Sequence, residues 1–228
     1  MIMIDSIKVL ESDAKTLKNV MLKSVKNLRS QVCRAAVQAV QVVFLNVGKA
    51  LETDSDNLVK ELLQKSADTN KFIRHIYIRL LEGFPDSFFR SDSKKALDVM
   101  AENFSVSKVI SLVMVGFQAQ KNVAIRANIA DIVDSVITRY ASSNQSMKHH
   151  LFISRLGAER FMGSSAELQE LVMGEGSKML SDAASEVRAS ARHYWAELVQ
   201  HAKTEPMLKQ ALTEVEMRNI RKTIDSLK

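Results

Sequence analysis

A polar turn that leads through an apolar residue to an arginine at the start of a helical segment occurs four times in this chain. One copy is the stretch QKNVAIRANIADIV, from Gln120 to Val133. Repetition of one turn-and-helix unit favours a repeat architecture, in which each unit buries its apolar face against the next. The arginines of the motif are Arg34, Arg74, Arg126 and Arg188.

These arginines are spaced by 40, 52 and 62 residues. Helix-pair repeats of the HEAT and armadillo type have a period of about 40–47 residues, so the first spacing fits. Apolar residues recur at i, i+3 and i+4 along most of the chain, as from Ile125 to Ile137. Glycine (7 residues) and proline (2 residues) are too scarce for the turns of an all-β fold. We therefore predict an all-α fold of HEAT-like helix-pair repeats stacked as a short α-solenoid.

The connections within each predicted pair are short and polar, which makes the two helices antiparallel neighbours. Asn, Asp, Thr or Ser in these turns is predicted to cap the second helix by accepting hydrogen bonds from its first N–H groups. The four arginines are predicted to pair with acidic residues between repeats, such as Asp68 or Asp182, because a partly buried arginine needs a partner. The predicted pairs are 14–26 with 29–49, 55–67 with 70 onward, 106–118 with 121–141, and 165–181 with 183–202.

The segment from His75 to Arg90 interrupts the helical pattern with one proline and four aromatic residues. Its removal reduces the second arginine spacing to 36 residues and restores a continuous amphipathic stripe. We predict an insertion at 75–90 within the second helix of that pair. Two readings of it stay open: an apolar surface loop that binds a partner, or a splice or gene-model variant that perturbs the fold.

The net charge of +6 and the pI near 9.4 favour an acidic partner, which nucleic acid, an anionic membrane or a protein surface can each provide. Neither a signal peptide nor an apolar run approaching the roughly 20 residues of a membrane span is recognisable. Cys33 is the only cysteine, so no internal disulfide can form, as suits a reducing compartment. It falls on an apolar helix face and is predicted to be buried.

No constellation of residues suggests catalysis or a cofactor. His149 and His150 are adjacent, so on a helix they point about 100° apart and no further ligand completes a metal site. Nothing resembles a nucleophile elbow or a phosphate-binding loop, and the GEGS stretch at Gly174–Ser177 lies in a helical pattern. Tyr194 and Trp195 are predicted to be core residues. We expect no enzyme, no metal and no cofactor.

Three segments carry a resemblance to a known family: KSVKNLRSQVCRAAVQAVQVVF, ELLQKSADTNKFIR and SDSKKALDVMAENFS. They resemble TOG domains, which are tubulin-binding arrays of HEAT repeats, most closely those of the crescerin or TOG array regulator of axonemal microtubules group and more distantly those of CLASP proteins. Two later segments, RLGAERFMGSSAELQELV and LSDAASEVRASARHYWAELV, are similar to the later repeats of the family. The specific part of the resemblance is the two runs VKNLRSQVCRAA and ADTNKFIR.

The resemblance implies a single TOG-like HEAT-repeat domain over residues 1–228, without the first helix of the family, whose turn usually presents a tryptophan. It also implies that the turns within the repeats form the face that grips tubulin. Lysines at the same point of successive repeats agree with this. The candidate tubulin-binding residues are Lys26, Asn27 and Arg29, then Thr69, Asn70 and Lys71, then Gln120, Lys121 and Asn122, and finally Ser185.

The function implied is that of a non-enzymatic tubulin- or microtubule-binding domain, monomeric in isolation, in the cytoplasm at the cytoskeleton or the cilium and axoneme. The alternative is a HEAT-repeat scaffold that binds a different protein through its concave surface or the insertion. Binding to nucleic acid is disfavoured because basic residues are not interleaved with stacking aromatics. No membrane partner is expected.

Overall fold

A computed structural model describes residues 13–27, 29–53, 55–67, 87–139 and 161–228. All the regular structure in these ranges is helical, which confirms the predicted all-α class. Phe117–Ala119 form a 3₁₀ turn. The α-helices are α1 (Ala14–Val25), α2 (Ser30–Leu51), α3 (Asp56–Ser66), α4 (Ser87–Asn103), α5 (Val106–Met114), α6 (Val123–Arg139), α7 (Ala166–Met179), α8 (Ser185–Leu198), α9 (Thr204–Ala211) and α10 (Glu214–Leu227).

The chain divides into two compact units, Met1–Ser105 and Val106–Lys228. In the first unit α1 packs on α2, and α4 packs on both α2 and α3. The helices that open the pairs, α1 and α3, also contact each other, as do α2 and α4. Phe44 meets Phe104 edge to face in the core, with ring centroids 5.2 Å apart. This is the stacking expected of helix-pair repeats, because each pair covers its neighbour's apolar side.

The second unit follows the same plan. The opening helices α5, α7 and α9 contact one another in order, and so do the closing helices α6, α8 and α10. Tyr194 and Trp195 of α8 are fully buried, as predicted, and Trp195 Nε1 donates to the carbonyl of Gly176 in α7 over 3.0 Å. The GEGS stretch lies within α7, as its pattern predicted.

Four of the predicted helix pairs can be compared with the described helices. Three pairs are confirmed to within a few residues: α1 with α2, α5 with α6, and α7 with α8. The opening helix of the remaining pair is α3, and α4 packs against it. The predicted insertion lies mostly outside the described residues, and its last four positions, 87–90, belong to the first turn of α4.

A fifth pair, α9 with α10, was not predicted. Its turn carries a capping box: the Thr213 side chain accepts from the Glu216 backbone N–H, and the Glu216 carboxylate accepts from the Thr213 backbone N–H over 3.0 Å. Threonine followed three residues later by glutamate is a helix-start signal that is readable in the sequence. Ile220 and Ile224 supply the buried stripe of α10.

Candidate functional site

The first candidate turn connects α1 to α2 and presents three exposed side chains, those of Lys26, Asn27 and Arg29. The Asn27 side-chain oxygen accepts a hydrogen bond from the backbone N–H of Arg29 over 2.9 Å. This bond holds the chain in a tight polar turn directly before α2. It occupies the amide oxygen of Asn27, whereas Lys26 makes no ion pair with any residue that the structure describes.

The second candidate turn, with Thr69, Asn70 and Lys71, lies outside the described residues, as do Asp68 and Arg74. Their assignment stays a prediction.

The third candidate turn connects α5 to α6 through the 3₁₀ turn. Lys121 and Asn122 are exposed and Gln120 is half-buried. The Asn122 side-chain oxygen accepts from the backbone N–H of Ala124 over 2.9 Å, and the Gln120 side-chain oxygen accepts from the N–H of Asn122 over 3.1 Å. Asn122 therefore caps α6, as predicted for the polar residues of these turns.

The fourth candidate turn connects α7 to α8. Ser185, the first residue of α8, is exposed, and its hydroxyl donates to the carboxylate of Glu186 over 3.2 Å. Asp182 accepts from the backbone N–H of Ala184 over 2.8 Å. Asn27, Asn122 and Asp182 thus take part in the same bond: a side-chain oxygen of each accepts from the backbone N–H two residues ahead. The repeated turn in the sequence is a repeated local structure.

Three arginines of the motif, Arg34, Arg126 and Arg188, lie near the starts of α2, α6 and α8 and make structural contacts. Arg126 forms an ion pair with Asp182, with 2.8 Å between Nε and Oδ2, and Arg34 pairs with Asp92 over 3.1 Å. Arg188 donates instead to the backbone carbonyls of Asp182 and Ala183, over 2.7 and 2.8 Å. The predicted pairing of the arginines with acidic residues is therefore confirmed for Arg34 and Arg126. The partner of Arg126, Asp182, is one that was named from the sequence.

Burial raises the pKa of Asp182, but hydrogen bonds from Arg126 and from the Ala184 N–H, with the charges of Arg126 and Arg188, outweigh burial and lower it below the usual value. The hydrogen bond to Asp182 raises the pKa of Arg126. Both groups are consequently charged at neutral pH. The exposed charge of the third turn is that of Lys121.

The Arg126–Asp182 pair brings the third and fourth turns together within the second unit. The first turn belongs to the first unit.

Two exposed valines, which the sequence did not single out, flank the third turn: Val115 is 71% exposed and Val123 is 48% exposed. Their signal in the sequence is weak, because valine in a helical pattern normally marks the core.

The chemistry available at these turns is hydrogen bonding and charge, with apolar contact at the two valines. His193 binds Asp134, with Nδ1 and Oδ1 2.7 Å apart. Across residues 13–27, 29–53, 55–67, 87–139 and 161–228, no group of three His, Cys, Asp or Glu side chains is placed to hold a metal ion. None of the helices in those ranges combines the length and apolarity that a membrane span requires.

No family model matches the chain. Individual proteins do match. The TOG array regulator of axonemal microtubules protein 1 of Mus musculus is 22% identical over 211 residues, which cover 91% of this chain and 10% of that protein. The Crescerin-like protein che-12 of Caenorhabditis elegans is 26% identical over 122 residues, 54% of this chain and 8% of that protein.

The Homo sapiens TOG array regulator of axonemal microtubules protein 1 is 34% identical over 93 residues, 40% of this chain and 4% of that protein. This chain therefore spans a tenth or less of the length of these relatives. The matches confirm the resemblance that was predicted from the sequence.

Proposed function

We infer that this chain, a relative of the crescerin group of TOG array regulators of axonemal microtubules, binds tubulin through the turns within its helix pairs. The observation that carries the proposal is the recurrence of one turn structure. In three turns a side-chain oxygen accepts a hydrogen bond from the backbone of the same turn. The candidate residues Lys26, Lys121 and Ser185 of these turns are exposed. The names of the relatives connect this architecture to microtubules.

Binding would be electrostatic at the rim. Lys26, Arg29 and Lys121 present exposed positive charge, and the chain carries a net charge of +6. A partner with an acidic surface is attracted by these charges and oriented by them. The amides of Asn27 and Asn122 add hydrogen-bond donors. Thr69, Asn70 and Lys71 are proposed to contribute the same chemistry from the second turn, and Ser185 from the fourth.

Chemical turnover is no part of this proposal: the chain acts as a binding domain in the cytoplasm, at the cytoskeleton of cilia or axonemes, without a cofactor and as a monomer. Val115 and Val123 are proposed as the apolar contacts beside the charged rim, since interfaces combine an apolar centre with a polar edge.

A second candidate function is favoured by a different surface. On α2, Val42 is 60% exposed and Leu45 is 61% exposed, and neither belongs to a turn. An exposed apolar stripe on a helix suits a protein partner other than tubulin. In this alternative the chain is a scaffold that binds through α2 or through the 75–90 segment.

Co-sedimentation with microtubules and size-exclusion chromatography with purified tubulin dimers test the proposal. We expect the chain to bind in at least one assay and to do so with or without residues 75–86, a deletion that leaves α4 intact. Replacement of Val42 and Leu45 by serine is the matched control, because it removes the α2 stripe and leaves the turns intact. No binding in either assay would overturn the tubulin proposal in favour of the scaffold function. Tubulin binding that is lost only in the α2 variant would instead move the tubulin contact from the turns to α2.

A further inference from the structure

The third and fourth turns are joined by a hydrogen-bonded chain that starts at the Asp182 carboxylate. Asp182 Oδ2 accepts from Arg126 Nε over 2.8 Å, and Oδ1 accepts from Arg126 Nη2 over 3.1 Å. This two-pronged contact restricts both the distance and the orientation of the guanidinium. The two residues belong to different helix pairs, so the contact fixes one pair relative to the next.

The same guanidinium also holds its own turn. Arg126 Nη1 donates to the backbone carbonyls of Gln120 over 3.0 Å and of Lys121 over 3.1 Å. The backbone that carries the Lys121 side chain is therefore tied directly to the group that binds Asp182. Arg126 therefore connects the Asp182 carboxylate to the backbone at Lys121 through a single side chain.

On the other side, Asp182 organises the start of α8. Its Oδ1 accepts from the Ala184 N–H over 2.8 Å, and its backbone carbonyl accepts from Arg188 Nη1 over 2.7 Å. Ser185 follows immediately as the first residue of α8. The chain of bonds thus runs without a gap from the Lys121 carbonyl to the residue before Ser185.

The pair is shielded from water. The Arg126 side chain is 14% exposed and that of Asp182 is 9% exposed. Salt screens such a pair far less than it screens the exposed lysines. The link between the turns consequently persists at ionic strengths that screen the attraction between Lys121 and an acidic partner.

We propose that Asp182 is a positioning residue that sets the spacing of Lys121 and Ser185, so that two successive turns engage tubulin as one surface. This inference rests on the proposed function. Asp182 itself is nearly buried and does not contact the partner. Its effect on binding comes through Arg126 and through the backbone of the two turns.

One test needs no tubulin. Hydrogen exchange followed by mass spectrometry compares the wild-type chain with Asp182→Asn, in peptides that cover 115–124 and 181–187. We expect Asp182→Asn to accelerate exchange in both peptides, although the first lies more than fifty residues away. Asp225→Asn is the matched control, because it neutralises an exposed aspartate of α10 and should leave both peptides unchanged. Exchange accelerated only at 181–187 overturns the link.

The second test is a binding cycle with purified tubulin dimers. In the wild-type background Lys121→Ala is expected to weaken binding by up to about fivefold. In a folded Asp182→Asn background the same substitution should weaken binding by less than about twofold, because an unpositioned lysine contributes little. We call the fold-change in binding caused by Lys121→Ala the Lys121 factor. If Asp182 has a purely structural role, the Lys121 factor is the same in both backgrounds, and that result overturns the proposal.

Arg126→Lys serves where Asp182→Asn does not fold. It keeps a positive charge beside Asp182 and removes the two-pronged geometry, so the same loss of the Lys121 factor is expected. Failure of the two proposals is distinguishable. If the wild-type chain binds no tubulin, the proposed function fails and the exchange experiment still decides whether Asp182 couples the turns. If the wild type binds and the Lys121 factor is unchanged in both variants, only the positioning role fails.

Discussion

Gly176 in α7 packs against the side chain of Tyr194 in α8. The contact is so close that a Cβ atom on Gly176 would lie 2.7 Å from the tyrosine hydroxyl oxygen. Tyr194 is fully buried and donates to the carbonyl of Gly176 over 3.4 Å. A helix with a side chain at this position cannot approach α8 to the same distance. The absence of a side chain at Gly176 therefore leaves room for the Tyr194 hydroxyl between α7 and α8.

Gly176→Ala is therefore expected to destabilise the protein by about 1–3 kcal/mol, the usual cost of extra volume in a packed core. Gly174→Ala, in the same helix, is the control: its Cβ meets nothing within 4 Å. It should be neutral or stabilising by up to about 1 kcal/mol, since alanine favours a helix. Denaturant unfolding of both variants measures the difference. Equal stability of the two would show that α7 and α8 do not pack as described.

Asp182→Asn is expected to lower the free energy of unfolding at pH 7 by about 3 kcal/mol, because it leaves the nearly buried Arg126 without a carboxylate. The pKa of Asp182 is lowered in the folded protein, so the carboxylate stabilises the fold above the usual aspartate pKa. This stabilisation is lost as the pH falls through the lowered value. The gap between variant and wild type should thus shrink on acidification, as followed by denaturant unfolding from pH 7 downward. A gap that widens on acidification contradicts this prediction.

For Asp134→Asn the stability relative to wild type is expected to change with pH in the opposite direction to that of Asp182→Asn. Burial raises the pKa of Asp134, and the hydrogen bond from His193 only partly offsets it. The folded state therefore holds the proton more tightly than the unfolded state, and stability falls as the pH rises from the usual aspartate pKa through the raised value. The asparagine variant should escape this loss and gain relative to wild type over that interval, by less than about 1.4 kcal/mol per pKa unit. Parallel stability curves for the two proteins would contradict the burial effect.

Replacement of Lys26, Lys71 and Lys121 by glutamate is expected to reduce tubulin binding far more than any single alanine substitution, because each glutamate meets like charge on an acidic partner. Wild-type binding should also weaken with added salt. Lys49 and Lys203, which are exposed and lie outside the proposed turns, provide the control charge reversal. Loss of binding in that control, together with normal binding by the folded triple variant, would contradict the assignment of the turns.

Deletion of residues 75–86 removes most of the predicted insertion and leaves every described helix intact. The deleted protein is expected to unfold at the same or a higher temperature, because the predicted insertion interrupts the repeat pattern and is no part of the stacked repeats. Thermal unfolding followed by circular dichroism measures this. Unfolding of the deleted protein would assign Phe84 to the core and contradict the predicted insertion.

Much of the fold could be read from the sequence, because helices and their order depend on local patterns. The spacing of Ile125, Ile129 and Ile132 identifies the buried stripe of α6. The polar residues before α6, ending in Asn122, mark its start. These signals lie within a few residues of the structure they specify, so no tertiary information was needed. The pair α9 with α10 was missed although its capping box is equally local.

Only the tertiary structure showed which residues the turns contact and which of their side chains are exposed. The sequence favours Asp182 as a partner for an arginine, but Arg126 and Asp182 are 56 positions apart and only the packing of α6 on α8 brings them into contact. The exposure of Val115 and Val123 and the close contact at Gly176 were equally invisible, because burial depends on which helix lies opposite. A single helix determines its own periodicity; what covers it is determined by residues far along the chain.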